Sequence, residues 1–173
     1  MLKNILFVLM VISAPSLIAQ RYAYVDSKYI LENMEEYKEA QIELNAMSKR
    51  WQETVEAKTV ELNRMRNSFE AEKILLTDQL KAKRENDIKE KEAEIRDYQR
   101  SKFGVNGELF KKRQELIQPL QDEIFNAIKD LAKERSYALI FDKGSTSNIL
   151  YSDPKYDKSD EILKKLGYSG GDK

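Results

Sequence analysis

Apolar positions along this chain change their period several times, and each change marks an element. Arg21-Tyr-Ala-Tyr-Val-Asp26 alternates large apolar side chains with small or polar ones, the repeat of a short strand. Asp26 or Ser27 then supplies a cap for a brief helix reaching Met34. From Tyr37 the apolar positions step by three and four through Ala40, Leu44, Met47 and Trp51. They continue at Val55 and resume at Leu62, Met65 and Phe69. The step from Trp51 to Leu62 is a stutter in a heptad repeat, which locally unwinds a supercoil. So narrow a seam, with charge on either side, is that of a coiled coil.

The helical pattern persists to Arg135, so the chain must reverse somewhere within it. Leu75-Leu76-Thr77-Asp78 is the predicted turn, with Thr77 capping a returning helix and Asp78 on its positive end. Gly104-Val-Asn-Gly107 is the rival, because Asn-Gly is a turn signal. A reversal there would give an outward helix of ~105 Å and a return of only ~45 Å at the α-helical rise, stranding the chain's end. The glycines are therefore expected inside the returning helix, whose seam reads Leu80, Ile88, Ile95, Tyr98, Val105, Leu109, Leu116 and Leu120. Twelve of the seventeen residues from Lys81 to Asp97 are charged, and Glu85–Lys89, Asp87–Lys91 and Glu92–Arg96 have the favourable i,i+4 order. Pro119 is expected to interrupt or kink this helix before the denser apolar face of Leu120, Ile124, Ile128 and Leu131.

After Arg135 the period shortens again. Ala138-Leu-Ile-Phe-Asp142 and Asn148-Ile-Leu-Tyr151 read as two strands of a hairpin around Lys143-Gly-Ser-Thr146. Ser159 is the expected cap of a last helix carrying Ile162, Leu163 and Leu166, closed by Gly167. The fold class is thus mostly α with a small β body. Its parts are a body segment at 21–34, a coiled-coil arm at 35–118 with its tip near 74–78, a second body segment at 119–168 and a flexible tail at 169–173. Three strands leave two open sheet edges, and nothing in them blunts an edge. Repetition about a symmetry axis would pair those edges and bury Tyr22, Tyr24, Leu139, Phe141, Ile149 and Tyr151 as an oligomer core.

Residues 1–20 carry one Lys, a short apolar run at Ile5–Ile12, Pro15 and a small-residue end at Ala19, the layout of a cleaved signal peptide. The mature chain is therefore expected to be secreted, which the resemblance given below narrows to the periplasm. Composition then narrows the chemistry. Thirty basic residues balance thirty acidic ones, which removes the global field that would draw nucleic acid. With no Cys and no His, disulfides, thiol or imidazole catalysis and the usual zinc sites are excluded. There is no glycine-rich phosphate loop and no Gly-x-Ser-x-Gly, and the carboxylates lie in mixed-sign helical runs. No catalytic, cofactor or metal residue is therefore expected, and the chain reads as no enzyme.

Taken in order, the end motifs resemble the Skp/OmpH family of periplasmic chaperones. They are Tyr24-Val-Asp26 with Tyr29-Ile-Leu31; Leu116-Ile-Gln-Pro-Leu120 with Ala127-Ile128, Leu131-Ala132 and Tyr137-Ala-Leu-Ile-Phe-Asp142; and Leu150-Tyr151 with Asp157–Leu163. The resemblance covers essentially the whole mature chain. It implies a homotrimer whose three-strand subunits close a barrel-like body, with projecting coiled-coil arms around a cavity. Unfolded outer-membrane proteins would be held there without nucleotide, with neither nucleic acid nor stable membrane insertion involved. Well-known members are strongly basic whereas this chain is neutral, so the resemblance is not extended to lipopolysaccharide binding. Candidate client-facing residues are Leu75, Phe103 and Phe110, off the main seam, with Met47 and Met65 as adaptable apolar surface. The alternative is a structural or tethering coiled-coil protein of the envelope that never touches unfolded chains.

Overall fold

A computed structural model describes residues 21–145 and 149–169. The expected leader at 1–20, most of the expected tail and Asn148 lie outside the described residues. The element order is β1 (Arg21–Val25), α1 (Ser27–Glu32), α2 (Glu35–Glu72), α3 (Asp78–Phe103), α4 (Glu108–Arg135), β2 (Tyr137–Asp142), a short 3₁₀ turn (Pro154–Tyr156) and α5 (Ser159–Lys165). The architecture is mostly helical around a small two-stranded sheet.

α1 starts where the Asp26 carboxylate accepts the Tyr29 N–H at 3.0 Å. α2, 38 residues and therefore about 57 Å long, ends at a turn over 73–77. There Thr77 Oγ1 accepts the Leu80 N–H at 3.4 Å and starts α3. α2 and α3 lie side by side in opposite directions. Glu72 meets Arg84 at 3.7 Å, Arg66 meets Glu92 at 2.7 Å, Glu61 meets Lys91 at 2.7 Å, and Lys58 meets Glu94. Leu62, Phe69 and Ile95 are the buried apolar groups between them. The expected ion pairs along α3 are thereby corrected. Glu92–Arg96 forms at 3.8 Å, but Lys91 pairs with Glu61 across the helices at 2.7 Å and with Glu94 on its own helix at 3.3 Å rather than with Asp87.

The returning segment is two helices, not one. At Gly104 the backbone turns extended (φ −64°, ψ 172°), and a Cβ there would stand 2.4 Å from the Arg100 carbonyl oxygen. Gly107 N–H closes back onto the Gly104 carbonyl at 2.8 Å. This break throws Val105, expected in the seam, out into solvent at 92% exposure. α4 then runs through Pro119 without ending, against the expected interruption there. Ile117, Leu120, Ile124 and Leu131 are buried on either side of the proline, so packing offsets the one lost backbone bond.

The body core is built from both chain ends, with Val25, Ile30, Met34, Leu131, Ile162 and Leu163 essentially fully buried. β1 and β2 pair in parallel, and the whole helical run is their crossover. The expected hairpin is corrected on this point. β2 pairs with β1 rather than with 148–151, and residues 149–151 form no strand. The cause lies in the loop after β2, which docks on α1 instead of folding back. One Asp142 carboxylate oxygen accepts the N–H groups of Ser27 (3.0 Å) and Gly144 (2.9 Å), and the other accepts the Ser27 hydroxyl at 2.7 Å. Burial works to raise the Asp142 pKa, but these hydrogen bonds outweigh it and hold the carboxyl below its ordinary 3.8. A Cβ on Gly144 would lie 2.6 Å from both Asp26 Oδ1 and the Lys28 nitrogen. Gly144→Ala should therefore cost ~1–3 kcal/mol, because backbone must move to admit one methyl. A thermal melt reads the effect, and an unchanged Tm would show that this docking is dispensable.

Ser159 does not cap α5 as expected. It is fully buried; its hydroxyl accepts the Asp26 N–H at 2.8 Å and donates to Asp157 Oδ1 at 2.6 Å. The N-cap position falls to Lys158, whose side chain makes no cap bond, while Asp157 accepts the Ser159 N–H at 2.9 Å. Gly167, at φ 91°, closes α5, with Tyr168 N–H returning to the Leu163 carbonyl at 2.9 Å. The Tyr168 hydroxyl donates to Glu36 at 2.6 Å; that bond, with burial, pushes its pKa up to about 12.

Candidate functional site: an apolar sheet face and an exposed helical pair

The parallel register sorts the strand residues by face. Ala23, Val25 and Ile140 turn toward the core, while the opposed pairs Tyr22–Leu139 and Tyr24–Phe141 turn away from it. Tyr22, Leu139 and Phe141 are each about half exposed; Tyr24 is buried, with the Lys143 ammonium 5.8 Å above its ring. The chain from 149 to 158 folds over one side of this face. Lys158 N–H reaches the Tyr24 carbonyl at 2.9 Å, so β1 is flanked on both edges. No strand lies on the far edge of β2 among the described residues.

Between face and segment lies a groove of about 780 Å³, to which Tyr22, Tyr24, Phe141, Ile149, Tyr151 and Tyr156 all contribute. Five of the six expected oligomer-core residues thus line one concavity. The sixth, Leu139, sits beside Tyr22 in the strand register, outside the groove wall. Tyr156 was missed; it is a further aromatic of the same groove, and only its nearness to Asp153-Pro154 hinted at a turn there. Leu150 is fully exposed and Tyr151 nearly so, unsatisfied apolar surface for a lone chain to carry.

The expected client-facing residues are not gathered. Leu75 stands out at the α2–α3 turn, with Ile74 beside it equally bare. Phe103 meets Trp51 edge-on at 5.9 Å and keeps about a third of its surface exposed. Phe110 is half exposed at the start of α4. Met47 and Met65 are half-buried in the α2 seam, eighteen residues or about 27 Å apart. Ile42 and Val60 are exposed on α2 and were not singled out, since each is a lone apolar residue in a polar run. The apolar surface of the helical pair is therefore a scatter of single groups between charges.

Those charges are committed to one another. The Arg66 hydrogen bond holds Glu92 below the ordinary 4.5, and bonds from Lys58 and then Lys91 do the same for Glu94. Lowered folded-state values mean that this stabilisation is present above pH 4.5 and is lost as pH falls through the folded values below it. Spin labels on Asn63→Cys and Glu90→Cys should accordingly report a narrow distance distribution at pH 6 and a broad one at pH 3. An unchanged distribution would mean that apolar packing alone holds α3 to α2. Among the described residues no three acidic groups are placed to hold a metal ion, and no helix is long and apolar enough to cross a membrane.

The sequence model of the family described as outer membrane protein (OmpH-like) matches residues 21–166. A functionally uncharacterized protein of Aquifex aeolicus is 27% identical over 160 residues, covering 92% of this chain and 94% of its own. The crystal structure of an OmpH-like protein of Caulobacter crescentus, proposed to be an outer membrane chaperone, superposes with a TM-score of 0.67. It does so at 12% identity, over 88% of this chain and 86% of that one, a likeness of fold.

Proposed function

The chain belongs to the OmpH-like family of outer membrane proteins, and from that premise we propose that it is a periplasmic holdase chaperone working without nucleotide. Residues 1–20 direct export and are removed. Three copies share the outer sheet face, the 149–151 segment of each meeting the open β2 edge of the next, and so close a barrel-like body. The paired helices α2 and α3, continued by α4, project from it as antiparallel coiled-coil arms, and unfolded outer-membrane proteins are held between them.

The observation that carries this reading is the scatter of exposed apolar side chains, Ile42, Val60 and Phe103 on an otherwise charged helical pair and Phe110 at the start of α4. A folded partner is bound through a contiguous, well-packed patch. Isolated contacts between charges suit a chain that must be retained without acquiring a fixed shape. The arm's own structure survives such use because its ion pairs and seam are already internal.

The test is to dilute a denatured outer-membrane barrel protein into buffer with and without the mature protein, no ATP present. Suppressed light scattering at one trimer per client is the expected result. Unchanged scattering would overturn the chaperone reading and favour a tether of the cell envelope.

A further inference from the structure

Asn106 differs from every other asparagine among the described residues. Asn45, Asn63, Asn67, Asn86 and Asn126 lie inside α2, α3 and α4, where the backbone is held by the helical ladder. Asn33 ends α1, and its side-chain amide donates to the Tyr29 carbonyl at 2.8 Å. Asn106 is exposed, stands in the break between α3 and α4, and is followed by Gly107, which has no side chain to hinder approach. Few bonds hold this turn shut. The Gly107 N–H meets the Gly104 carbonyl at 2.8 Å, and the Asn106 N–H meets the same oxygen at 3.0 Å. Val105 is already in solvent, so local opening uncovers little further apolar surface.

We propose that Asn106 is a site of spontaneous deamidation, a slow covalent change of the arm seated in its helix break. Gly107 is buried in the closed turn and becomes the nucleophile when the turn opens. Its nitrogen attacks Asn106 Cγ. The new N–Cγ bond closes a cyclic imide, and the side-chain nitrogen leaves as ammonia with the proton that Gly107 gives up. Water then opens the imide at either carbonyl. Breaking the new bond gives aspartate; breaking the original peptide bond leaves the main chain running through the side chain, as isoaspartate. Water is the one co-reactant, ammonia the one by-product, and nothing is oxidised or reduced. Because one hydrogen bond holds the Gly107 N–H, the fold should slow the reaction roughly tenfold relative to an unstructured peptide.

The two products act differently on the break. Aspartate adds a charge just ahead of α4, where the positive end of the helix favours it. Isoaspartate adds a methylene to the main chain of a turn without slack. Even a Cβ on Gly107 would stand 2.9 Å from both the Gly104 nitrogen and the Lys102 carbonyl oxygen. The Lys102–Glu108 ion pair spans this turn at 2.5 Å, and the Lys102 ammonium lies 5.2 Å from the centre of the Trp51 ring. The longer backbone should draw Lys102 off that ring and change the Trp51 emission. The reaction proceeds whether or not the chain holds clients, so the chaperone reading does not bear on it.

The experiment ages the folded mature protein at neutral and at mildly alkaline pH, then follows the tryptic peptide Phe103–Lys111 by mass spectrometry. An unaged sample digested in parallel sets the background, and a synthetic peptide of the same sequence gives the rate without the fold. The expected result is conversion of the amide to the acid, faster at the higher pH and within roughly tenfold of the synthetic peptide. Part of the product should accept methyl groups from an isoaspartyl methyltransferase, and peptides carrying the helical asparagines should keep their amides. Asn106→Gln should fold with the same helix content and remain unconverted. Asn106→Asp should keep the wild-type Trp51 emission, whereas the isoaspartyl form separated from aged protein should not. Three outcomes would overturn the proposal. One is slowing by roughly a hundredfold or more against the synthetic peptide, which would mean that the closed turn shields Asn106. Another is equal conversion at the helical asparagines, and the third is an isoaspartyl form with unchanged Trp51 emission.

Discussion

Replacing Phe141 by Asp is expected to reduce the mature protein to single chains in solution while leaving its helix content nearly intact. The two halves of that expectation separate because Phe141 is 48% exposed in the lone chain. A carboxylate there meets water in the isolated subunit, and a surface exchange of this kind costs ~0.5 kcal/mol or less. In the closed assembly proposed above this position, beside Tyr24 in the strand register, would face a second copy, where an unpaired charge would lose its hydration at a cost of several kcal/mol. That penalty recurs at every interface of a symmetric ring, so the loss of association should be complete at micromolar concentration. Val60→Asp, on the exposed side of α2, is the matched control and should leave the mass unchanged. Light-scattering mass is the measurement. A Phe141→Asp protein that keeps the wild-type mass would move the interface off this sheet face and take the barrel proposal with it.

Local periodicity carried far in this chain, and its failures share one cause. Alternation in Tyr22–Val25 and Leu139–Asp142 sorts the strand residues by face, and the paired register shows that sorting directly. Thr77 starts a helix because an Asx or hydroxyl cap acts over three residues, a range that sequence displays. The errors arise where a residue answers to something distant in the chain. Lys143-Gly-Ser reads as a hairpin turn, but Asp142 and Gly144 are committed to Ser27 and Lys28, more than a hundred residues earlier. Ser159 looks like a cap and instead bridges to Asp26 from the opposite end of the chain. Lys91 looks paired back to Asp87 and instead bridges Glu61 on α2 and Glu94 on its own helix.

Gly104 and Pro119 show the same competition in reverse. A single glycine costs about 1 kcal/mol in a helix and a proline about 3, so propensity alone puts the break at the proline. The structure puts it at the glycine. Around Pro119 the helix is held by Ile117, Leu120 and Ile124 in the core, whereas beside Gly104 only Phe103, edge-on to Trp51 and still 37% exposed, packs against anything, and Val105 stands in solvent. The candidate groove suffered likewise. Its strand residues were legible from alternation, but Tyr156 joins them only because the 149–158 segment folds over β1, which no local pattern announces.

Leu131→Ala should destabilise the whole chain, including parts of it far from Leu131. The side chain is 1% exposed and packs with Ile30, Met34, Ile162 and Leu163, so truncation leaves a cavity among groups drawn from both chain ends. Such deletions cost ~2–5 kcal/mol, a large part of the ~5–15 kcal/mol that a domain has in total. The helical pair cannot make up the loss. α3 buries only Ile95 along its length, and its ion pairs to α2 are exposed, screened by water and weakly stabilising. An arm so built is stable only while its two ends are held together by the body. Trp51, the only tryptophan, sits in the arm and reports its state separately from the overall helix signal. Urea unfolding followed by circular dichroism and by Trp51 fluorescence, at one fixed protein concentration, should therefore show both transitions moving down together in Leu131→Ala. Leu80→Ala, half exposed near the apex, should move neither by more than ~0.5 kcal/mol. If the Trp51 transition stayed in place while the helix signal split into two steps, the arm would be an independent unit. Its stiffness would then come from the α2–α3 contacts themselves, and the body would serve only to anchor it.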